Sequence, residues 1–422
     1  MLANVTSIEP QTLTALLLLP LIGAVLLAFF RKEQEKQVKA TAIFFAILTF
    51  AVSFFLLVAP AISEADVPAL EAAGLEGAQY AVGFSSLEYA ELSDDPGVVW
   101  LLGVDGISIW LVLLTTFLTP LVLLSAYSSI KHRVKEFYIA FLILETGMIG
   151  ALVSLDLIVF YVFFELMLIP MYLIIGIWGG ERRIYAAVKF FLYTLVGSLL
   201  MLVAILFCYF QMPEGVRTFN LLAMYEHLNV LGYVPQILAF LAFALAFGIK
   251  VPIFPFHTWL PDAHVEAPTP GSVILAGVLL KMGTYGFVRF AIPLFPFAAY
   301  VLGWLFLLLG AIGILFAAWM AWVQDDMKKL VAYSSVSHLG FCMLGMFAVV
   351  GAGDAEATLA GLSGSVFIMI AHGLSAAALF FLVGVIYERR HTRMIDHYGG
   401  LAKVTPVFAI VFMIATLGSV GL

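Results

Sequence analysis

Polar positions are so sparse in this chain that it reads as a series of apolar runs divided by short charged punctuation. Runs long enough to cross a bilayer core of ~30 Å, about 20 residues each, occur near 13–31, 38–61, 104–130, 137–154, 156–178, 188–211, 233–254, 271–296, 299–323, 329–351, 364–387 and 404–422. They predict twelve membrane-spanning helices in an all-α, polytopic bundle. Apart from 62–103 and 212–232 the connections are short, so residues 1–422 are expected to form a single transmembrane domain without linkers. The pattern breaks most sharply in Leu241 to Pro270, LAFALAFGIKVPIFPFHTWLPDAHVEAPTP, where an apolar helix carries Lys250 and then meets Pro252 and Pro255. Proline lacks an N–H and crowds the carbonyl four residues back, so the carbonyls of Gly248 and Val251 lose their helical donors and the helix must break. Irregular backbone and a lysine are tolerated together at membrane depth only where protein or a wet cavity surrounds them.

Composition agrees with the pattern: 63% of residues are hydrophobic and 11% charged, with a mean hydropathy of +1.09, against about 25% charged in soluble domains. Leu13 to Phe30 is too long for the apolar core of a signal peptide and has no basic stretch before it, so it is expected to be retained as the first span. Sixteen of the twenty basic residues lie in the segments Arg31–Lys39, Lys131–Glu136, Glu181–Lys189, Asp325–Lys329 and Glu388–Lys403, each of which follows an odd-numbered span. The positive-inside rule makes that side cytoplasmic and places the N-terminus outside. The opposite segment, Ser63 to Asp95, holds eight carboxylates and no basic residue. With the charges sorted by side in this way, the net charge of −7 says nothing about nucleic acid, and the apolar runs make the bilayer the expected partner. Cys208 and Cys342 lie alone in apolar runs, too few for an iron–sulfur site and without zinc spacing, and read as small core residues.

Of the basic residues outside those segments, Arg217 and Arg289 fall toward the outer side, while Lys250 and Lys281 lie inside spans. Glu165 sits mid-span five residues before Pro170, and an unpaired carboxylate in hydrocarbon costs several kcal/mol. Lys250, on another proline-broken span, is its expected partner, and Glu145, one span earlier, is a second candidate. Such a pair is either a functional relay or a clasp that fastens helices. Lys281 lies about ten residues from either end of its span, too deep for easy snorkelling. Gly277, Gly283 and Thr284 around it let helices approach, and a buried lysine without a counter-charge is suited to exchanging a proton. His338 and His372 extend the series into later spans with Ser334, Ser335, Ser337 and Ser375 nearby, and imidazole carries protons near neutral pH. His257, Asp262 and His264 match no ligand spacing for a metal and are expected in a loop packed at the cytoplasmic mouth.

Four segments carry a family resemblance: FFELMLIPMYLIIGIWG (163–179), KVPIFPFHTWLPDAHVEAPTPGSVILAGVLLKMGTYG (250–286), DDMKKLVAYSSVSHLGF (325–341) and AHGLSAAALFFLVGVIYERRHTR (371–393). With them the chain resembles the antiporter-like subunits of respiratory complex I, and within those the chain M type, similar to mitochondrial NADH dehydrogenase subunit 4. The resemblance implies a fold of inverted repeats of about five helices, here 137–296 and an incomplete 299–422. It implies that Glu165 and Lys250 are a coupling pair, that Lys281 is the central relay, and that His338 and His372 lead to a second half-channel. It also implies partner subunits of the L and N types, and NADH, FMN, iron–sulfur clusters and quinone held elsewhere in the complex, with no cofactor in this chain. Family members continue past a segment like Val404–Gly418 through a helix break to an ionisable residue. This sequence reads ATLGSVGL up to Leu422, so no outward exit residue is assigned. The rival readings are a subunit of a multisubunit cation/proton antiporter and a non-conducting membrane scaffold.

Overall fold

The structure is a computed structural model that describes residues 12–422 except 60, 73, 74, 76, 92–96, 229, 230, 349 and 351–353. Among the described residues, eleven helices are long and apolar enough to cross a membrane. In chain order these spans are Thr12–Phe29, Glu35–Leu57, Ser108–Ser129, Val134–Val153, Leu157–Trp178, Arg183–Gln211, Tyr233–Lys250, Thr269–Leu294, Pro296–Trp322, Met327–Ala348 and Glu356–Arg390. They match the first eleven apolar runs one for one. The twelfth run forms a shorter helix, Pro406–Val420, of 15 residues. Proline at its first position is tolerated because the N–H it lacks would have no helical partner there. The multi-pass architecture expected from the sequence is therefore present.

Charged residues outside the spans hold helix ends. On the basic side, the Lys135 Nζ donates to the carbonyls of Ala28 and Phe30 at 2.7 and 2.8 Å, and the Lys39 Nζ donates to Tyr127 O at 2.8 Å. Cations at helix C-termini complement the orphan carbonyls and the helix dipole. On the other side the Glu88 carboxylate accepts from the N–H groups of Leu13 and Thr14 at 2.7 and 3.0 Å, capping the first span. Glu88 belongs to an antiparallel hairpin of β1 (Ser86–Glu91) and β2 (Val99–Val104), all but Val104 of it within the long connection 62–103. The hairpin docks on the turn between the fourth and fifth spans through Leu155 N–H to Leu101 O at 2.8 Å. There Asp156 accepts from Val99, Ile158 and Val159 N–H at 2.9–3.0 Å, serving as N-cap and strand anchor together.

The seventh span ends at Lys250, four residues earlier than the apolar run, because Pro252 stops it. The freed carbonyls find other donors: Ile253 N–H reaches Gly248 O at 2.9 Å and Trp259 Nε1 reaches Ile249 O at 2.9 Å. The loop expected around His257, Asp262 and His264 is corrected in part. His257 does lie in the irregular turn, but Trp259–Glu266 is a short helix that carries Asp262 and His264. One indole closing the break lets the chain resume helical geometry at once.

The eighth span is the axis of the bundle, and every residue of its most apolar window is buried. Two π-helical segments, Leu275–Leu279 and Phe287–Ala291, flank the turn that carries Lys281. Such bulges concentrate at functional sites. Gly283 lets this helix lie directly on the seventh span: a methyl group there would meet Phe247 O at 2.6 Å and Val251 N at 2.8 Å. Both are backbone atoms, so overpacking would push the two spans apart. Gly283→Ala is therefore expected to lower the amount of assembled complex recovered from membranes severalfold. Native gel electrophoresis of detergent extracts checks this, and normal recovery would show that the two spans can separate.

Candidate functional site

The ionisable residues singled out in the sequence lie on six different spans. Glu145 is on the fourth, Glu165 on the fifth, Lys250 at the end of the seventh, Lys281 on the eighth, His338 on the tenth and His372 on the eleventh. Proline-induced interruption positions the first part of the set. The fifth span consists of Leu157–Leu166 and Leu168–Trp178, broken at Met167, so Glu165 stands on the last turn before the break. The break packs on Gly147 and Gly150 of the fourth span, whose missing side chains leave room for Phe163 and Met167. Glu165 faces Ser198 on the sixth span and Lys250 on the seventh.

Glu165 and Lys250 are brought face to face but not into a direct ion pair. The Lys250 Nζ has no hydrogen-bond partner among the described residues and lies 4.4 Å from the centre of the Phe164 ring, a cation–π arrangement. Glu165 Oε1 is likewise buried without a partner. Glu145, fully buried, has both carboxylate oxygens unpartnered among the described residues, with the Thr119 hydroxyl the polar group nearest in effect. Unpartnered charges at this depth cost several kcal/mol unless a proton or water meets them. The geometry therefore requires hydration or proton uptake around Glu145, Glu165 and Lys250.

Lys281, His372 and His338 form a contiguous row. The Lys281 Nζ donates to the carbonyl of Ala276, in the first π segment, and meets His372 Nδ1 at 2.8 Å. The rings of His372 and His338 are 5.4 Å apart, centre to centre. On its far side His338 Nε2 lies 3.3 Å from Ser419 Oγ. The row ends at a cavity of about 620 Å³ lined by His338, Ser334, Thr416 and Ser419 among apolar side chains. The second His372 nitrogen, Nε2, is buried and unpartnered among the described residues. Each imidazole can accept a proton on one nitrogen and release it from the other, so the row suits a stepwise relay.

Other polar groups line the two ends of the bundle. Toward the basic loops, Lys189 pairs with Asp262 at 2.7 Å, and the buried Lys328 Nζ donates to Ala267 O at 2.7 Å. His257 stacks on Phe254, and burial together with the Lys189 charge holds its imidazole below the ordinary value. His264 lies parallel to Phe380 with ring centres 4.6 Å apart and both nitrogens unpartnered among the described residues. Burial, with Lys328 and Lys281 nearby, holds it well below the ordinary value, so it is neutral at pH 7. Among the described residues no three His, Cys, Asp or Glu side chains converge as a metal site. At the opposite end Arg289 pairs with Asp105. Burial favours the neutral acid at Asp105, but the guanidinium and the Ser108 donors outweigh it and hold the carboxyl below its usual range. The sequence reading placed Arg289 only "toward the outer side"; its partner could not be seen because 184 residues separate the two.

Buried carboxylates on broken helices, a central lysine and a histidine row in a polytopic bundle define the antiporter-like class of membrane subunits. Two family descriptions match the chain: "NADH:quinone oxidoreductase/Mrp antiporter, TM" over residues 154–422 and "NADH-ubiquinone oxidoreductase chain 4, amino terminus" over residues 82–154. NADH-quinone oxidoreductase subunit M of Rhodobacter capsulatus is 45% identical over 97% of this chain and 77% of its own length. NADH-ubiquinone oxidoreductase chain 4 of Marchantia polymorpha is 41% identical over 98% of this chain and 77% of its own. A chain of respiratory complex I from Thermus thermophilus superposes with a TM-score of 0.82 at 34% identity, covering 97% of this chain and 79% of that one. A chain of an archaeal membrane-bound sulfane sulfur reductase shares the fold, with a TM-score of 0.79 at 24% identity over 97% of this chain and 62% of that one. This chain belongs to the family of NADH:quinone oxidoreductase subunit M and chain 4, and so to a multisubunit membrane complex. The chain 4 match over 82–154 favours this over an antiporter subunit.

Proposed function

We propose that this chain is the proton-translocating membrane-arm subunit of a respiratory NADH:quinone oxidoreductase, passing protons through Glu165, Lys250, Lys281, His372 and His338, with Glu145 as a further carrier. NADH, FMN, iron–sulfur clusters and quinone belong to partner subunits in this reading, and this chain holds none of them. Its neighbours are antiporter-like subunits of the L and N types. The sorting of basic residues supports a bacterial inner membrane with the N-terminus on the periplasmic side. The eighth to eleventh spans would carry the lysine-to-histidine hand-over between two inverted units, 137–296 and 299–422.

The observation that carries the proposal is the 2.8 Å approach of Lys281 Nζ to His372 Nδ1, with His338 as the next ring. A structural clasp needs one partner; a relay needs a second acceptor beyond the first. His372→Phe keeps an aromatic ring of similar volume and removes both nitrogens. In liposomes holding the assembled complex it is expected to cut NADH-driven proton translocation about tenfold or more, the scale of losing one positioned acid–base group. Proton uptake recorded with a pH-sensitive dye checks this, and full pumping by an assembled His372→Phe complex would leave the scaffold reading in its place.

A further inference from the structure

Lys281, Tyr285 and Arg289 recur every four residues on the eighth span, so they share one face of that helix. Eight residues carry the stripe about 12 Å along the axis, from the centre of the bundle to the end opposite the basic loops. The Lys281 Nζ itself is held by Ala276 O and His372 Nδ1, and the next polar side chains on that face of its helix are Tyr285 and Arg289. The far end of the stripe is built as a closed cluster. Arg289 pairs with Asp105 and donates from Nε to Tyr285 Oη at 3.3 Å. Tyr285 Oη donates in turn to Leu152 O at 2.9 Å. The Arg289 carbonyl would go begging, because the residue four ahead is Pro293, and Tyr225 Oη fills it at 2.6 Å. Asp105 is fixed from its other side by the N–H groups of Ile107 and Ser108 at 3.1 and 3.0 Å. The Phe84 ring covers the guanidinium, whose carbon lies 5.3 Å from the ring centre. The guanidinium is therefore a buried cation held by Asp105, Tyr285 and Phe84, with Tyr225 fixing the backbone beneath it.

We infer that Asp105, Tyr225, Tyr285 and Arg289 form an electrostatic stopper, which bars protons from leaving Lys281 along the eighth span and so commits them to the histidine row. A guanidinium does not give up its proton, and a fixed cation at the end of a polar stripe repels a second positive charge that approaches it. The stopper makes Arg289 a sealing residue and not a carrier. It rests on the proposed role of Lys281, yet its test needs no turnover.

The complex, reconstituted in liposomes and left without NADH, is given a pH step, and the inward leak is recorded with an entrapped dye. Arg289→Met with Asp105→Asn removes both charges together, so neither is left buried alone. This pair is expected to raise the resting leak about tenfold or more, the effect of removing roughly 1.4 kcal/mol of barrier. Arg289→Lys keeps the cation and is expected to leak much less. Adding Lys281→Ala to the leaking pair is expected to close the path again. A resting leak unchanged from the parent overturns the stopper, as does a leak that persists without Lys281. If the double variant fails to assemble, Arg289→Gln with Asp105→Asn, which removes both charges and keeps polar side chains in place, is measured instead, and an unchanged leak in that variant is equally decisive. Loss of pumping in Lys281→Ala is read separately, during turnover, so the two ideas fail independently.

Discussion

Lys281→Ala is expected to abolish nearly all NADH-driven proton translocation attributable to this chain while leaving the bundle assembled. Lys281 lies where the histidine row meets the helix that packs on the span of Lys250. Its Nζ reaches His372 Nδ1 at 2.8 Å, and its own helix packs through Gly283 on the span that ends in Lys250. Alanine removes the carrier and leaves His372 without its proton donor. The packing cost is bounded: deleting a long buried side chain opens a cavity worth about 2–5 kcal/mol, but it also removes the cost of holding a cation in a dry site. Lys281→Met separates the two effects, since it fills the space without the charge. Both variants should pump at a few per cent of the parent, with the redox arm still able to oxidise NADH using an added acceptor that bypasses quinone. Membrane-potential dyes and proton uptake, normalised to assembled complex, check the result. Parent-level pumping by Lys281→Met would remove the centre of the relay, whatever the assembly yield.

Much of this arrangement was legible in the sequence because the bilayer imposes simple rules. An apolar run of about 20 residues can do little but cross it, so eleven spans appear where the hydropathy placed them. Proline always removes a helical donor, so the breaks after Lys250 and Glu165 were legible too, although Pro20 and Pro120 lie inside continuous helices. The ends of elements were less so. The seventh span stops at Lys250, and the helix Trp259–Glu266 resumes at once because Trp259 Nε1 satisfies Ile249 O, a side-chain closure that no periodicity reveals. The hairpin of β1 and β2 lay in a long acidic segment whose carboxylates read as solvated. One of them, Glu88, caps the first span 75 residues away. The site divides along the same line. Which residues are ionisable at depth is a property of the sequence, whereas their pairing is a property of packing. Lys281 met a histidine from 91 residues further on, and Arg289 met an aspartate from 184 residues before it. Glu165 and Lys250, paired by expectation, make no direct ion pair, and the Lys250 Nζ lies over the Phe164 ring instead.

That separation sets the second large effect. Glu165→Gln is expected to slow proton pumping and quinone reduction together, by about tenfold or more, whereas Glu165→Asp should retain a substantial part of both. The reason lies in what Lys250 has around it. Its Nζ is buried, and its neighbours are the Phe164 ring and the Glu165 charge. Removing one member of a buried charge pair leaves the other uncompensated, a change of about 3–5 kcal/mol. Moving a proton against roughly 180 mV takes about 4 kcal/mol, since each 100 mV is worth ~2.3 kcal/mol per charge. The two quantities are comparable, so drawing the carboxylate toward or away from Lys250 is a sufficient drive for one proton, and Glu165 stands on the last turn before the interruption at Met167. Glutamine preserves the shape of the side chain but not the charge. Aspartate preserves the charge on a shorter arm. A mere clasp between the fifth and seventh spans predicts the opposite pattern: less assembled complex in both variants, with normal pumping per complex that does assemble. Quantifying the complex by its flavin content and dividing the pumping rate by that figure distinguishes the two, and a normal ratio for Glu165→Gln would reduce the pair to a fastening.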